Sequence, residues 1–120
     1  MLNQLIVVGR LVKDIEVHEN ENGKSFAEIT LAVPRSFKNM DGIYDTDFIN
    51  FRVFDNIAKN TSEYCHKGDI IGVKGRIQSY TKETDKSKET EMQLIAEKVT
   101  FLSSKSRDEI QKSDKEQSDR

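Results

Sequence analysis

Residues 47–54, DFINFRVF, decide the fold, because as a β-strand they place different chemistry on each face. Successive side chains of a strand point to opposite sides of the sheet. Three apolar residues share one side, which reads as hydrophobic core. The other side carries two aromatic rings, an amide and a guanidinium: Phe48, Asn50, Arg52 and Phe54. A strand that turns such a set outward indicates a binding surface.

Alternating segments on both sides of this stretch predict further strands, and the residues between them predict turns and one helix. Asn22 and Gly23 are a strong hairpin signal. Asp41 and Gly42 lie at the tip of a long loop or hairpin. The other predicted strands are 3–17, 27–33, 69–80 and 92–102, with the loop or hairpin at 34–46, a helix at 55–68 and a charged, flexible loop at 81–91.

The predicted order is therefore β-β-β-α-β-β. An OB-fold has this order: an all-β, five-stranded Greek-key barrel with one helix between strands 3 and 4. We expect the OB-fold to occupy residues 1–104. Residues 105–120 carry five basic and five acidic side chains, a composition typical of a disordered polar tail.

The composition suits a protein of the reducing cytoplasm. The single cysteine, Cys65, has no partner for an internal disulfide. No apolar run approaches the ~20 residues that a membrane-spanning helix needs. The N-terminal MLNQLIVVGRL alternates as a strand does and lacks the basic start and cleavage site of a signal peptide. We expect a cytoplasmic location and no membrane partner.

No constellation of residues typical of an enzyme is found in the sequence. The two histidines, His18 and His66, have no Cys or His partner at metal-ligand spacing. Cys65 lies on the apolar stripe of the predicted helix, where a structural role is the simpler interpretation. We therefore predict a protein without catalytic activity, metal or cofactor.

The outward faces of two strands, 47–54 and 69–80, combine aromatic and basic residues, and under OB connectivity we expect these strands to be neighbours. Such a surface suits single-stranded nucleic acid, because unstacked bases stack on aromatic rings while Arg and Lys contact phosphates. Every base has a π-face, so sequence preference should be weak. The predicted stacking residues are Phe37, Phe48, Phe54 and Tyr80, and the predicted phosphate contacts are Arg35, Lys38, Arg52, Lys74 and Arg76, with Arg10 and Lys13 as additions.

The segments VGRLVKD and YCHKGDIIGVKGRIQ, with AEITLAVPRSFKN and DFINFRVF, closely resemble the bacterial single-stranded DNA-binding protein family, SSB. The resemblance implies a homotetrameric OB-fold that wraps single-stranded DNA in replication, recombination and repair. The family's stacking aromatics fall on Phe37, Phe48 and Phe54. At the position of the family's fourth aromatic this sequence has Lys82, and Tyr80, two residues earlier, would take over its role. The first strand would pair with its copy in another subunit, through Asn3, Gln4, Leu5 and Ile6.

The chain departs from the resembled family at its end. Family members usually close in an acidic tip with Pro-Phe that docks replication and repair proteins, whereas this sequence ends EQSDR. We therefore read it as a short form and do not expect recruitment of partners by that route. Forms without the tip occur among second copies used in DNA uptake and among phage and mobile-element proteins.

Two other functions fit an aromatic OB surface. One is a protein-interaction module that forms mixed oligomers with another SSB or binds a replication protein, since such interfaces also favour aromatic residues and Arg. The other is an OB-fold nuclease, against which the lack of a paired-carboxylate site argues.

Overall fold

The computed structural model describes residues 1–104, so the predicted tail at 105–120 lies outside the described residues. Within that range no helix is long and apolar enough to cross a membrane. The elements are β1 (Leu5–Leu11), β2 (His18–Glu19), β3 (Ser25–Lys38), β4 (Tyr44–Phe54), α1 (Asp55–Tyr64), β5 (Ile70–Thr84) and β6 (Ser87–Ser103).

The strands form one sheet that closes on itself. Their order is β1-β5-β6-β4-β3-β2, and β1 also pairs with β3. The five long strands β1, β3, β4, β6 and β5 therefore make a barrel, which confirms the predicted OB-fold. The helix lies between the third and fourth of these strands in the chain, as expected. The two-residue β2 is an extra pairing on the outer edge of β3.

The barrel interior is filled by alternate residues of each strand. Phe51 and Val53 of β4 are fully buried, as the sequence pattern predicted, whereas Ile49 is half-buried. Burying a side chain of this size stabilises the fold by ~1.5–3 kcal/mol. The other large core residues are Leu11, Ile29, Leu31, Ile71 and Val73.

Two glycines allow the strands to come close enough to close the barrel. A Cβ on Gly9 of β1 would lie 2.8 Å from the carbonyl oxygen of Ala32 in β3. A Cβ on Gly75 of β5 would collide with the carbonyl oxygen of Ile95 in β6. The ladder between β5 and β6 shifts register between Lys74 and Gly75, as is typical where a glycine lets a strand bend.

The helix α1 packs against β3, β4 and β6 and buries Ala58 and Thr61. It ends at Tyr64, four residues before the predicted end at 68. The following residue, Cys65, is buried, and its burial, helped by the charge of Asp69, raises the pKa of the thiol. A buried thiol with a raised pKa is a poor nucleophile.

Three sequence-based expectations were wrong. The predicted first strand at 3–17 ends at Leu11, and only His18 and Glu19 pair again beyond it. The predicted loop at 81–91 is a β-hairpin that turns at 85–86, because opposite charges face each other across it: Lys82 pairs with Glu89, and Lys88 lies 3.6 Å from Glu83.

The third correction concerns the two strands that carry the predicted surface. β4 and β5 are not neighbours, because the last strand, β6, lies between them and pairs with both. It runs parallel to β4 through Phe51 and Arg52 and antiparallel to β5 along most of its length. The outward face of β6 is therefore part of any surface that β4 and β5 share.

Candidate nucleic-acid interface

The outer face of β4 holds two exposed phenylalanines. The side chains of Phe48 and Phe54 are 67% and 40% exposed, although both belong to a strand whose other face is core. Between them, Asn50 accepts a 2.6 Å hydrogen bond from the hydroxyl of Thr30 on β3. The burial of the inward residues fixes the alternation, so these two rings cannot turn inward without breaking the register.

Cross-strand pairing brings guanidinium groups beside these rings. Arg76 of β5 pairs with Ile95 of β6, which pairs in turn with Arg52 of β4. In a second row of paired residues, Arg10 of β1 pairs with Ala32 of β3, and Ala32 pairs with Phe48 of β4. Although β6 lies between β4 and β5, Arg52 and Arg76 pair with the same residue of β6 and are therefore only one strand apart.

Phe26 belongs to this surface and was not predicted. It opposes Phe54 across the β3–β4 ladder and is half-buried. The guanidinium carbon of Arg52 lies over its ring, 5.2 Å from the centroid, in a cation–π contact. Its place in the alternation, on the same side as Glu28 and Thr30, could have indicated that it faces outward. It was missed because the predicted strand began at residue 27, one residue after Phe26.

Arg52 is held by its neighbours. One terminal nitrogen donates a 3.3 Å hydrogen bond to Glu28, while Nε is buried with no hydrogen-bond partner in the described part of the chain. The ring of Phe26 covers the guanidinium instead. We call the outward set around it the aromatic face, defined by Phe26, Phe48, Arg52, Phe54, Arg76 and Tyr80.

Tyr80 lies at the β5 end of the aromatic face. Its hydroxyl donates a 2.7 Å hydrogen bond to Glu91 on β6, and that bond, with burial and the charge of Glu91, raises the pKa of the tyrosine. The charge of Arg52, on the other side of β6, acts to lower the pKa of Tyr80. Arg76 donates a 2.7 Å hydrogen bond to Gln78 on the same strand.

The hairpin of β3 and β4 extends the surface beyond the barrel. Phe37 is 65% exposed, in an irregular stretch between the paired residues Pro34 and Lys38. The ammonium of Lys38 lies over the ring of Tyr44, 5.7 Å from its centroid. The hairpin therefore presents further rings with a nearby cation.

Arg35 is engaged by carboxylates on the same hairpin. Its Nε and terminal nitrogen donate to Asp47 at 3.2 and 2.9 Å, and a second nitrogen lies 3.8 Å from Asp45. This contact lowers the pKa of Asp47 and raises that of Arg35. A phosphate would have to compete with Asp47 for this guanidinium.

Of two further predicted phosphate contacts, the first lies away from the aromatic rings and the second lies near Phe26. Lys74 pairs with Ile6 of β1 and Lys98 of β6, on another part of the barrel wall. Lys13 lies in the connection between β1 and β2, where it lines a groove beside Phe26.

The wall around Lys74 is aliphatic. Ile6 and Val8 of β1 are 68% and 50% exposed, and Leu102 of β6 is 51% exposed. A Cβ on Gly72 would lie 3.7 Å from Val8 and 3.8 Å from Leu102, so the two side chains flank this glycine. We call Ile6, Val8, Gly72 and Leu102 the aliphatic face.

The predicted oligomer residues lie at the start of β1. The strand pairs with β5 from Leu5 to Arg10 on one edge, but with β3 only at Arg10 and Leu11 on the other. Its first half thus has an edge that no strand within residues 1–104 covers. Gln4 is exposed, while the amide of Asn3 exchanges 2.7 and 2.9 Å hydrogen bonds with the backbone of Ile77.

A closed OB barrel with exposed aromatic rings and guanidiniums on one wall belongs to the class of nucleic-acid-binding OB-fold domains. Among residues 1–104, no three His, Cys, Asp or Glu side chains are grouped to hold a metal. Comparison with known families makes the class specific: the model of the single-strand binding protein family matches residues 2–102, and the chain belongs to that family.

The chain is similar to several curated relatives. It is 38% identical over 109 residues to single-stranded DNA-binding protein B of Bacillus subtilis strain 168, and the match covers 90% of this chain and 96% of that one. It is 41% identical over 106 residues to single-stranded DNA-binding protein 2 of Staphylococcus aureus strain Mu50, covering 88% and 75%.

Solved structures share the fold. The wild-type single-stranded DNA-binding protein from Thermus aquaticus superposes with a TM-score of 0.72 at 24% sequence identity, covering 88% of this chain. The chain spans about half, 52%, of the length of that protein.

Proposed function

We propose that this chain binds single-stranded DNA without catalysing a reaction and with little sequence preference, in replication, recombination, repair or DNA uptake. One observation carries the proposal: the outer face of β4 exposes Phe48 and Phe54 beside the guanidinium of Arg52. Exposed rings of this kind are open to unstacked bases, and each stacked base contributes about 1–3 kcal/mol to binding. The family membership and the names of the relatives support it.

The same surface disfavours duplex DNA. A duplex is read by a helix or ribbon that enters a groove. The helix α1 carries Asp55 and Glu63 beside Lys59 and so offers no basic stripe. In a duplex the base faces are stacked on each other and are closed to aromatic side chains.

In this proposal the rings and cations have separate roles. Phe37, Phe48, Phe54 and Tyr80 stack bases. Arg52, Arg76, Arg10 and Lys38 lie next to these rings or in their rows and contact phosphates. Lys13 and Arg35 take the outer part of the path, and Arg35 joins only when phosphate displaces Asp47. We do not extend the path to Lys74, because it pairs with Ile6 of the aliphatic face.

We further propose that four copies assemble into a homotetramer in the cytoplasm. A closed tetramer with two-fold axes needs two kinds of contact. The free edge of β1, from Leu5 to Val8, offers the first, because a copy of the same strand can pair with it. The aliphatic face offers the second.

The binding of labelled oligo-dT at low and high salt, with a duplex of equal length as control, tests the DNA proposal. We expect tight binding of the single strand, weak binding of the duplex, and a log–log salt slope of about −0.7 per neutralised phosphate. Equal affinity for single strand and duplex would contradict the proposal. Incubation of the same labelled strand with Mg²⁺ or Ca²⁺ should leave it intact.

A further inference from the structure

The aromatic face continues past Phe54 onto two strands that the predicted site did not include. Phe54 of β4 pairs with Phe26 of β3, and Phe26 pairs with His18 of β2. The three rings therefore occupy one row across three neighbouring strands, which are spaced by ~4.8 Å. The centroids of His18 and Phe26 are 5.6 Å apart, with the ring planes inclined at 36°.

Within this row His18, like Phe54, is a ring with an open side. Arg52 covers Phe26, which is half-buried, whereas 56% of the His18 side chain is exposed. Its Nε2 lies 3.9 Å from the carboxylate of Glu16, a distance too long for a hydrogen bond. Within residues 1–104 no hydrogen bond thus fixes the imidazole, and its ring packs against that of Phe26.

A groove begins where the row ends. It has a volume of about 600 Å³, large enough for a nucleotide, and it is lined by Lys13, Asp14, Glu16, His18, Phe26 and Glu28. The groove carries three carboxylates, Asp14, Glu16 and Glu28, which repel phosphate and therefore favour a base or its sugar over the phosphate itself. Lys13 on the rim can hold the phosphate outside.

We propose that His18, supported by Phe26, is a further base-stacking residue, and that it places one more base of the bound strand in this groove. The inference rests on the proposed function, because it extends the same strand from Phe54 along the row. It gives β2 and the connection before it a part in binding. It also explains why an isolated two-residue strand carries a ring that contacts the neighbouring ring.

The test compares full-length wild type with His18→Ala, His18→Phe and His66→Ala in titrations of labelled oligo-dT at several salt concentrations. We expect His18→Ala to bind about fivefold more weakly, the lower end of the effect of losing one stacked base. His18→Phe keeps a ring and should bind within about twofold of wild type. His66 is the chain's other histidine, is exposed and lies outside the row, so its removal should change nothing.

The salt dependence separates stacking from charge. If His18 stacks a base, His18→Ala keeps the wild-type salt slope. A slope less steep by about 0.7 would mean that His18 contacts a phosphate, and would overturn the stacking role. Equal affinity of His18→Ala and wild type, or a loss that His18→Phe does not restore, would also overturn it. If wild type itself fails to bind, the proposed function fails instead, whatever the variants do.

Discussion

The aromatic face and the aliphatic face are both outer walls of one barrel, but they differ in what they expose. The first presents Phe48, Phe54 and Tyr80 among guanidiniums and hydrogen-bonded polar groups. The second presents Ile6, Val8 and Leu102, which carry no aromatic ring, and the last two flank Gly72. Both walls expose apolar surface, so exposure alone does not distinguish their roles.

The difference lies in the kind of contact that each side chain can make. An aromatic ring gains from a second π-system at its face, and a guanidinium beside it attracts a phosphate. Branched aliphatic side chains gain only from removal of surface from water, which a second copy of the same wall supplies. We therefore propose that the single strand binds to the aromatic face and that a copy of the chain packs against the aliphatic face.

The largest effect should come from a charge placed in the aliphatic face. Val8→Glu would bury a carboxylate between copies, at a cost of several kcal/mol. We therefore expect the tetramer to dissociate, which light scattering would show as a lower molecular mass. Met40→Glu makes the same change on the exposed hairpin tip and should leave the tetramer intact. A Val8→Glu tetramer would show that this wall is not an interface.

A methyl group inside the barrel should affect stability and not binding. In Gly75→Ala the new Cβ would meet the Ile95 carbonyl, so we expect a loss of about 3 kcal/mol and a melting temperature lower by about 10–20 °C. Gly72→Ala adds the same atom on the aliphatic face at ordinary contact distances. Similar melting temperatures for the two variants would contradict the described closure of β5 on β6.

Removal of a ring from the aromatic face should affect binding and not stability. Phe54→Ala should weaken oligo-dT binding by about 1–3 kcal/mol, roughly 5- to 150-fold. Phe101 is a matched control, because it is 43% exposed against 40% for Phe54 but lies beside α1, in a cleft with Tyr64 and Cys65. Equal losses in Phe54→Ala and Phe101→Ala would show that binding does not depend on the aromatic face, and an unfolded Phe54→Ala would make Phe54 a core residue.

The smallest effect concerns the ion pair beside the aromatic face. Asp47→Asn should free Arg35 for a phosphate, which raises the affinity at low salt and steepens the salt slope by about 0.7. Asp41→Asn changes the net charge equally at the hairpin tip and should leave the slope unchanged. An unchanged slope in Asp47→Asn would mean that Arg35 lies off the DNA path.

The same ion pair has a defined pH dependence. Because the pKa of Asp47 is lower in the folded protein than its ordinary value of 3.8, the pair stabilises the fold above about pH 4. That contribution is lost as the pH falls through the lower, folded-state pKa. At neutral pH Asp47 is therefore charged and pairs with Arg35 in the wild type. The difference in salt slope between Asp47→Asn and wild type should accordingly be measured at neutral pH.

The sequence was sufficient for the parts of the fold that follow from alternation. Three features are local, and the pattern of their own residues predicts them: the inward set around Phe51, the hairpin at Gly23 and the helix after Phe54. The exposure of Phe48 and Phe54 was predicted for the same reason: once their neighbours are core, their side is fixed.

The parts that alternation does not determine were wrong or missing. The position of β6 between β4 and β5 depends on long-range pairing, which no local pattern of 69–80 or 92–102 shows. The outer part of the β5–β6 hairpin, residues 81–91, has no hydrophobic face, and it is stabilised by cross-strand pairs such as Lys82 with Glu89. Phe26 was missed because one residue at a strand boundary decides whether a ring belongs to a loop or to a face.

Photo-crosslinking tests the central assignment most directly. Full-length protein bound to an oligo-dT with scattered 5-iododeoxyuridine is irradiated and digested with trypsin, and the crosslinked peptides are identified by mass spectrometry. The peptides 39–52 and 53–59 carry Phe48 and Phe54, while peptide 1–10 carries Ile6 and Val8. The aromatic-face account predicts crosslinks in the first two peptides. Crosslinks confined to peptide 1–10 would contradict it.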